Sequence, residues 1–173
     1  MIELTKWFLL TLVAVLLCSG SWAEENDFDR IDAAATRAAR LQAWTELVQK
    51  RANRGPGGFR NFDRDMGQIQ CIKGDPDLAL EFLDAMERAV KDKSLILSIL
   101  SGSIGSMPYP DPSNLPKRSE RVGSGPWKIE TGNAEAVKMA RERFEKALMI
   151  FNRAAGTELK AGVATPADVA DWK

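Results

Sequence analysis

The chain of 173 residues has no histidine, only two cysteines and a single tyrosine. Without histidine, Ser-His-Asp and Cys-His catalysis, histidine zinc sites and the usual proton shuttle at neutral pH are excluded for this chain acting alone. Cys18 and Cys71 are too few for a thiolate metal cluster and form no CxxC motif. The glycine pairs at 102–105 and 123–125 are too slight to indicate a phosphate-binding loop. We therefore predict neither a cofactor nor a metal site.

The chain also lacks an excess of charge of either sign, because 24 basic and 24 acidic residues give a formal net charge of zero. No overall field attracts nucleic acid or an acidic membrane, so we predict no nucleic-acid partner. Five basic residues do come close together in the first part of the chain: Arg37, Arg40, Lys50, Arg51 and Arg54. In a helical segment these residues are most simply explained as a solvated face.

One apolar run stands out, from Trp7 to Leu17 after Lys6. It is shorter than the roughly 20 residues of a membrane-spanning helix and is typical of an export signal. Ser21 and Ala23 supply the small residues that a signal peptidase inspects. The sequence therefore predicts a signal peptide over residues 1–23, cleaved after Ala23, and a periplasmic or secreted protein without a stable membrane span.

Two alternatives remain for this segment, an uncleaved anchor and a lipoprotein modified at Cys18. Lipoprotein signals have a small residue just before the cysteine, whereas Leu17 is bulky, so lipidation is the less favoured interpretation. If Cys18 leaves with the signal, residues 24–173 keep Cys71 alone and cannot form an intramolecular disulfide. Cys71 is then a candidate for an intermolecular disulfide.

Helical periodicity recurs along residues 24–173, and no sustained strand alternation appears. We predict a single all-α domain, an irregular bundle of four or five helices preceded by the signal peptide. The first helix is predicted over 27–53, before the helix-breaking segment 55–58. Its helical stripe is Ile31, Ala34, Ala38, Leu41, Thr45 and Val48, widened by Trp44 and Leu47. A short second helix is predicted from Phe59, Phe62, Met66 and Ile69, with Cys71 on its opposite face.

The clearest helix start is Asp75, an N-cap followed by Pro76 at the first helical position. This helix is predicted to run to about Lys93. The apolar segment Leu95 to Leu100 comes next, and its length fits a helix or a strand, although its surroundings favour a helix. It is interpreted as core, or as a partner-contact patch if it is exposed. The predicted i,i+4 ion pairs are Asp84 with Arg88 and Glu87 with Lys91.

The strongest amphipathic pattern lies between Asn133, a predicted N-cap, and Gly156, a predicted helix stop. Its inner face is predicted to consist of Val137, Ala140, Phe144, Ala147, Leu148, Phe151 and Ala155. Thr165 and Asp168 then form a predicted capping box for a short helix that ends at Trp172 and pins the tail.

Residues 102–132 are predicted to form an irregular segment rich in proline and glycine. Loops of this length in a compact domain are often functional or else disordered, and a plain surface wrap is the alternative. The candidate partner-binding residues in it, apolar or basic, are Tyr109, Leu115, Lys117, Arg118, Arg121 and Trp127.

Carboxylate chemistry is the remaining enzymatic route, because a glycosidase needs only two acids about 5 to 10 Å apart. Asp63 with Asp65 and Asp75 with Asp77 are the candidate pairs, but capping already explains Asp75 and Asp77, and residues two apart in a helix do not face each other.

These observations together favour an exported, non-catalytic helical protein that binds a protein partner or assembles in the cell envelope. The first alternative is a small hydrolase of cell-envelope polysaccharide that uses a carboxylate pair. The second is a self-assembling subunit, a homo-oligomer joined through amphipathic helices or a Cys71 bridge.

Overall fold

The computed structural model describes four stretches of the chain, residues 27–54, 57–59, 74–114 and 118–172. Most of these residues are helical and the strands amount to one two-stranded sheet, which confirms the predicted all-α class. The helices are α1 (27–33), α2 (Arg37–Ala52), α3 (Pro76–Ala89), α4 (Lys93–Gly105), α5 (Ala134–Ala155) and α6 (Pro166–Ala170). The strands are β1 (Arg121–Val122) and β2 (Ile129–Glu130).

Several predictions fall on residues outside these stretches. They concern the signal peptide over residues 1–23, the stripe of the short second helix beyond Phe59, and the thiol of Cys71. Leu115, Lys117, Asp63 and Asp65 also lie outside the described residues. Predictions about all of these residues stay predictions.

The single helix predicted over 27–53 is wrong, because the chain breaks between α1 and α2. Thr36 has an extended backbone, and its hydroxyl accepts a hydrogen bond from the backbone N–H of Ala39, which starts α2 as a capped helix. Arg40 donates from Nε to the carbonyl of Ala34 at 3.0 Å, so the last turn before the break is also satisfied. A threonine can offer the backbone this local partner, which apolar periodicity does not reveal.

The start of α3 is confirmed, since the Asp75 carboxylate accepts hydrogen bonds from the N–H groups of Asp77 and Leu78. Its end is earlier than predicted, because Val90 has an extended backbone and Asp92 caps a new helix, α4. The apolar segment from Leu95 to Leu100 is thus helical, and Ile96, Ile99 and Leu100 are buried in the core.

The irregular segment predicted over 102–132 is partly ordered. Its first residues complete α4, which ends at Gly105. β1 and β2 then pair antiparallel with Arg121 opposite Glu130, and the 3-10 turn Gly125–Trp127 connects them. Each strand has only two residues, which is too short to show a detectable alternation of apolar and polar residues in the sequence.

Both ends of α5 are confirmed. Asn133 accepts the N–H of Ala136 at 3.1 Å, and Gly156 ends the helix with a φ of 71°, in the left-handed region that favours glycine. The capping box of α6 is also confirmed, and Trp172 packs edge-on against Phe151 with ring centroids 5.5 Å apart. The tail is therefore held on the core at this contact.

The helices pack in the order α2, α3, α5, α4, α6, each against the next. Trp44 of α2 stacks on Phe82 of α3 with ring centroids 4.6 Å apart, and its indole N–H donates to the Phe82 carbonyl. Phe144 and Phe151 of α5 are fully buried as well. Burial of each such side chain stabilises the fold by about 1.5 to 3 kcal/mol, so the aromatic residues carry much of this core.

Candidate functional site

One cavity among the described residues is a groove that α3 shares with its two neighbours. α2 and α5 both pack on α3 and leave an open channel of about 620 Å³ between them. Two ion pairs show that α5 runs in the same direction as α3: Arg143 binds Asp77, and Arg153, ten residues further along α5, binds Glu87, ten residues further along α3. The groove is lined by these three helices, and we name it the α2/α5 groove.

The floor of the α2/α5 groove is apolar. Its apolar residues are Leu41, Leu80, Ala85, Ala89, Met149 and Ile150. Two of the α3 positions that line the channel, 85 and 89, carry only small alanine side chains. A groove of this size and lining is in the range that binds apolar ligands or side chains.

Charged residues at the end of the groove neutralise one another. Arg153 donates to Asp84 and to Glu87 at 2.5 and 2.7 Å, and Arg88 binds Asp84 at 2.7 Å. The hydrogen bonds to Asp84 and then to Glu87 raise the pKa of Arg153, so its guanidinium remains charged. The predicted pair of Asp84 with Arg88 is confirmed, but Glu87 binds Arg153 instead of Lys91.

Met149 marks the α5 edge of the groove and is the feature that the sequence interpretation missed. Its side chain is 69% exposed, whereas the apolar residues of the inner face of α5 are buried. A single exposed apolar residue is ordinary on a protein surface, but an unbranched thioether beside an apolar channel adapts easily to a bound surface. The available signal was an apolar residue that departs from the inner stripe of an otherwise regular amphipathic pattern.

The predicted partner-binding residues that the structure describes differ in their exposure. Trp127 is buried at 3% exposure in the core, which argues against its direct contact with a partner. Arg118 and Arg121 are exposed, and Arg121 pairs with Glu130 across the hairpin at 3.4 Å. The prediction that these residues bind a partner is not tested by their positions.

Tyr109, the single tyrosine, has a structural environment of its own. Its ring packs on Phe144 with centroids 4.7 Å apart, and the guanidinium carbon of Arg141 lies 4.1 Å from its centroid. Arg141 also donates to the Tyr109 hydroxyl and to the Pro110 carbonyl. This half-buried cluster attaches the segment after α4 to α5, because one guanidinium bridges both parts.

The basic residues near α2 do not form a positive patch. Arg51 is buried at 2% exposure, so the prediction of a wholly solvated face is wrong at this position. Its guanidinium lies 5.2 Å from the ring centroid of Phe28, where cation–π attraction compensates part of the burial. Of the other four, Arg37 binds Glu81, Arg40 donates to the Ala34 carbonyl, and Lys50 binds Asp27. Arg54 is exposed.

Several of the described carboxylates are engaged in structural contacts. Asp77 accepts both Nε and Nη2 of Arg143, and this hydrogen bonding, with its charge, lowers the Asp77 pKa. The pKa shifts resolved for the other described carboxyl groups, Glu46, Asp111 and Asp168, are also downward. A general acid needs a raised pKa, so these four groups are unsuited to that role. The hydrolase alternative depends on Asp63 and Asp65 and stays a prediction.

Over the described ranges, no cluster of three or more acidic or cysteine side chains is arranged to hold a metal ion. In those same ranges, no helix combines the length and the apolar character that crossing a bilayer requires. Searches with this chain find no match among protein-family models, curated proteins or solved structures.

Proposed function

We propose that this chain is an exported, periplasmic protein without its own chemistry that binds or assembles proteins of the cell envelope. The observation that carries the proposal is the α2/α5 groove, an open channel with an apolar floor and the exposed Met149 at its edge. A channel that is open along its length suits an elongated protein segment better than an enclosed small molecule, because a small ligand needs most of its surface covered.

The charges at the groove support protein binding over catalysis. Asp84 and Glu87 are both held by Arg153 at the end of the channel, so neither is presented as a reactive acid. Charges that are already compensated contribute little to the affinity for a charged ligand, and the apolar floor then supplies most of the contact energy. Apolar side chains of a partner are therefore the expected ligand of the groove.

Export is the second part of the proposal, and it is supported by the sequence of residues 1–23. Osmotic-shock fractionation of cells that express the full chain, followed by mass spectrometry of its N-terminus, tests this part. We expect a periplasmic product that begins at Glu24. A product that retains Cys18 with an attached lipid, or the whole run from Trp7 to Leu17, would replace it with the lipoprotein or the anchored form.

Binding is tested with a photoreactive amino acid placed on the full chain in living cells. Thr45 is an exposed groove position on α2, and Arg121 is exposed on the hairpin. Val163, which is 84% exposed on a loop, is the control position. We expect a reproducible crosslinked protein from Thr45 that is absent from Val163.

A crosslink from Arg121 with none from Thr45 would assign binding to the segment predicted from the sequence and reject the groove. Crosslinking at all three positions alike would indicate nonspecific contact and contradict the proposal.

A further inference from the structure

The outer surface of α5 carries one continuous ridge. Glu142, Glu145, Met149 and Arg153 are separated by three or four residues, so their side chains line up along one face of the helix. We name these four residues the α5 ridge. Met149 is 69% exposed, and the side chains of Glu142 and Arg153 are 54% and 47% exposed. The ridge is thus an accessible surface beside the α2/α5 groove.

Charge is distributed unevenly about Met149. Glu145 precedes it by four residues and Arg153 follows it by four, so each charge lies about 6 Å along the helix from Met149. A two-fold axis through Met149, perpendicular to α5, would place Glu145 of one copy opposite Arg153 of the other, twice. A parallel pairing would instead place Glu145 opposite Glu145, which is repulsive.

We propose that a second copy of this chain packs its α5 antiparallel against the first along the α5 ridge, with the two Met149 side chains in contact at the two-fold axis. The inference rests on the proposed role of the α2/α5 groove as a protein-binding surface, because the second α5 covers the α5 edge of that groove. Self-pairing is favoured over an unrelated partner since the charges of the ridge are complementary to themselves under the two-fold rotation.

The neighbouring residues are compatible with this pairing. Arg153 uses Nε and Nη2 for Glu87 and Asp84, and a guanidinium has five N–H donors, so donors remain for a carboxylate of the second copy. Lys146 would lie opposite Asn152, whose neutral amide imposes no repulsion. Among the described residues Glu145 makes no ion pair, so it does not have to leave one in order to pair.

Disulfide trapping of the full chain tests the arrangement at residue level. The native thiols are removed with Cys18→Ser and Cys71→Ser, and Met149→Cys is compared with Met139→Cys. Met139 is a methionine on the same helix that is 36% exposed and lies ten residues, about 15 Å, from the proposed two-fold axis. Glu145→Cys is the third variant. In the antiparallel pair its two copies lie about 12 Å apart along the helices, beyond the roughly 7 Å that a disulfide spans between Cα atoms.

Under mild oxidation we expect Met149→Cys to form a reducible dimer at least roughly tenfold faster than Met139→Cys or Glu145→Cys. Rapid linking of Glu145→Cys would indicate a parallel pair, and equal rates at positions 149 and 139 would indicate random collision. Either result overturns the proposal.

A charge swap gives a second, independent measurement by sedimentation velocity. Chains with Glu145→Arg, and separately chains with Arg153→Glu, should dimerise at least about tenfold more weakly than the unaltered chain, because like charges then face each other. A mixture of the two should dimerise again, because both contacts become complementary. If Arg153→Glu proves unfolded by circular dichroism, the unaltered chain and Glu145→Arg are compared alone.

A monomeric unaltered chain at every concentration reached would reject the self-pairing. If the probe at Thr45 still captures a different protein in that case, the proposed binding function survives without it. If neither self-pairing nor capture is observed, both proposals fail.

Discussion

The inner and outer faces of α5 belong to one helix of 22 residues but differ in packing and exposure. The inner face is closely packed, and its buried residues are Val137, Ala140, Phe144, Ala147, Leu148 and Phe151. The outer face carries the α5 ridge, where Met149 is largely exposed. Substitutions inside change contacts on every side, whereas those outside change few, so stability should depend on the first face and association on the second.

The inner face is tested most severely by Phe144→Ala. Phe144 is fully buried and contacts the ring of Tyr109, so its truncation leaves a cavity that the surrounding helices can close only in part. We expect a loss of about 3 to 5 kcal/mol in the free energy of unfolding, measured by urea denaturation with circular dichroism. Met139→Ala on the same helix is the matched control and should change it by less than about 1 kcal/mol. Similar losses for both variants would contradict the contrast between the faces.

The flank of α5 between the two faces carries Arg143, which binds Asp77 of α3. We test this contact with Asp77→Asn and with pH. Arg143, only 14% exposed, donates two hydrogen bonds to Asp77, and these lower the Asp77 pKa from its ordinary value of 3.8. Since the folded pKa is lowered, the contribution of this carboxylate to stability is present above pH 3.8 and is lost as the pH falls through the folded value. The side chain of Asp77 is 39% exposed, so we expect solvent to limit the effect to about 1 to 2 kcal/mol.

The measurement is the free energy of unfolding of both proteins across the acid range. Near neutral pH, the free energy of unfolding of the unaltered chain should exceed that of Asp77→Asn by a constant amount. This difference should shrink below about pH 4. A margin that is independent of pH would show that the ion pair does not contribute through its charge.

The glycine that ends α5, Gly156, is tested by comparing its replacement with that of Gly102, a glycine inside α4. Gly156 has a φ of 71°, and a Cβ there would meet no atom within 4 Å, so Gly156→Ala should cost about 1 kcal/mol purely through backbone conformation. Gly102 lies inside α4 and also has open space around it, without a positive φ. Gly102→Ala should therefore stabilise the protein by about 0.5 to 1 kcal/mol. The two variants are compared by thermal unfolding, and changes of the same sign would contradict the conformational explanation.

The contrast between the faces also explains how much could be predicted from the sequence. The inner face of α5 repeats at helical spacing over about five turns, and Asn133 and Gly156 mark the ends of the helix, so both the helix and its limits were predictable. The break at Thr36 was not predictable, because the apolar spacing continues across it while a single hydroxyl supplies the cap. The burial of Trp127 was not predictable either, since burial of a loop residue depends on contacts distant in sequence.

The candidate site was harder to predict from the sequence, because it too depends on contacts between residues that are distant in the chain. The α2/α5 groove is a space between three helices, and its floor depends on how α2 and α5 are placed on α3. Arg153 joins α5 to Asp84 and Glu87 some 66 to 69 residues away, and no local rule connects them. Glu87 was assigned to Lys91 because only the i,i+4 neighbour is visible along a single helix.

The smallest expected effect on folding, and the most informative one, is that of Met149→Lys. The side chain is 69% exposed, so we expect the free energy of unfolding of the dilute protein to change by less than about 0.5 kcal/mol. Self-association should be lost, since two ammonium groups would meet at the two-fold axis. Because association stabilises the folded state by mass action, the Tm of the unaltered chain should rise with protein concentration, and that of Met149→Lys should not. Met139→Lys, ten residues and about 15 Å along α5 from the proposed two-fold axis, should keep the concentration dependence. If all three proteins show the same concentration dependence, association does not involve the outer face of α5, and the division between a folding face and a binding face is wrong.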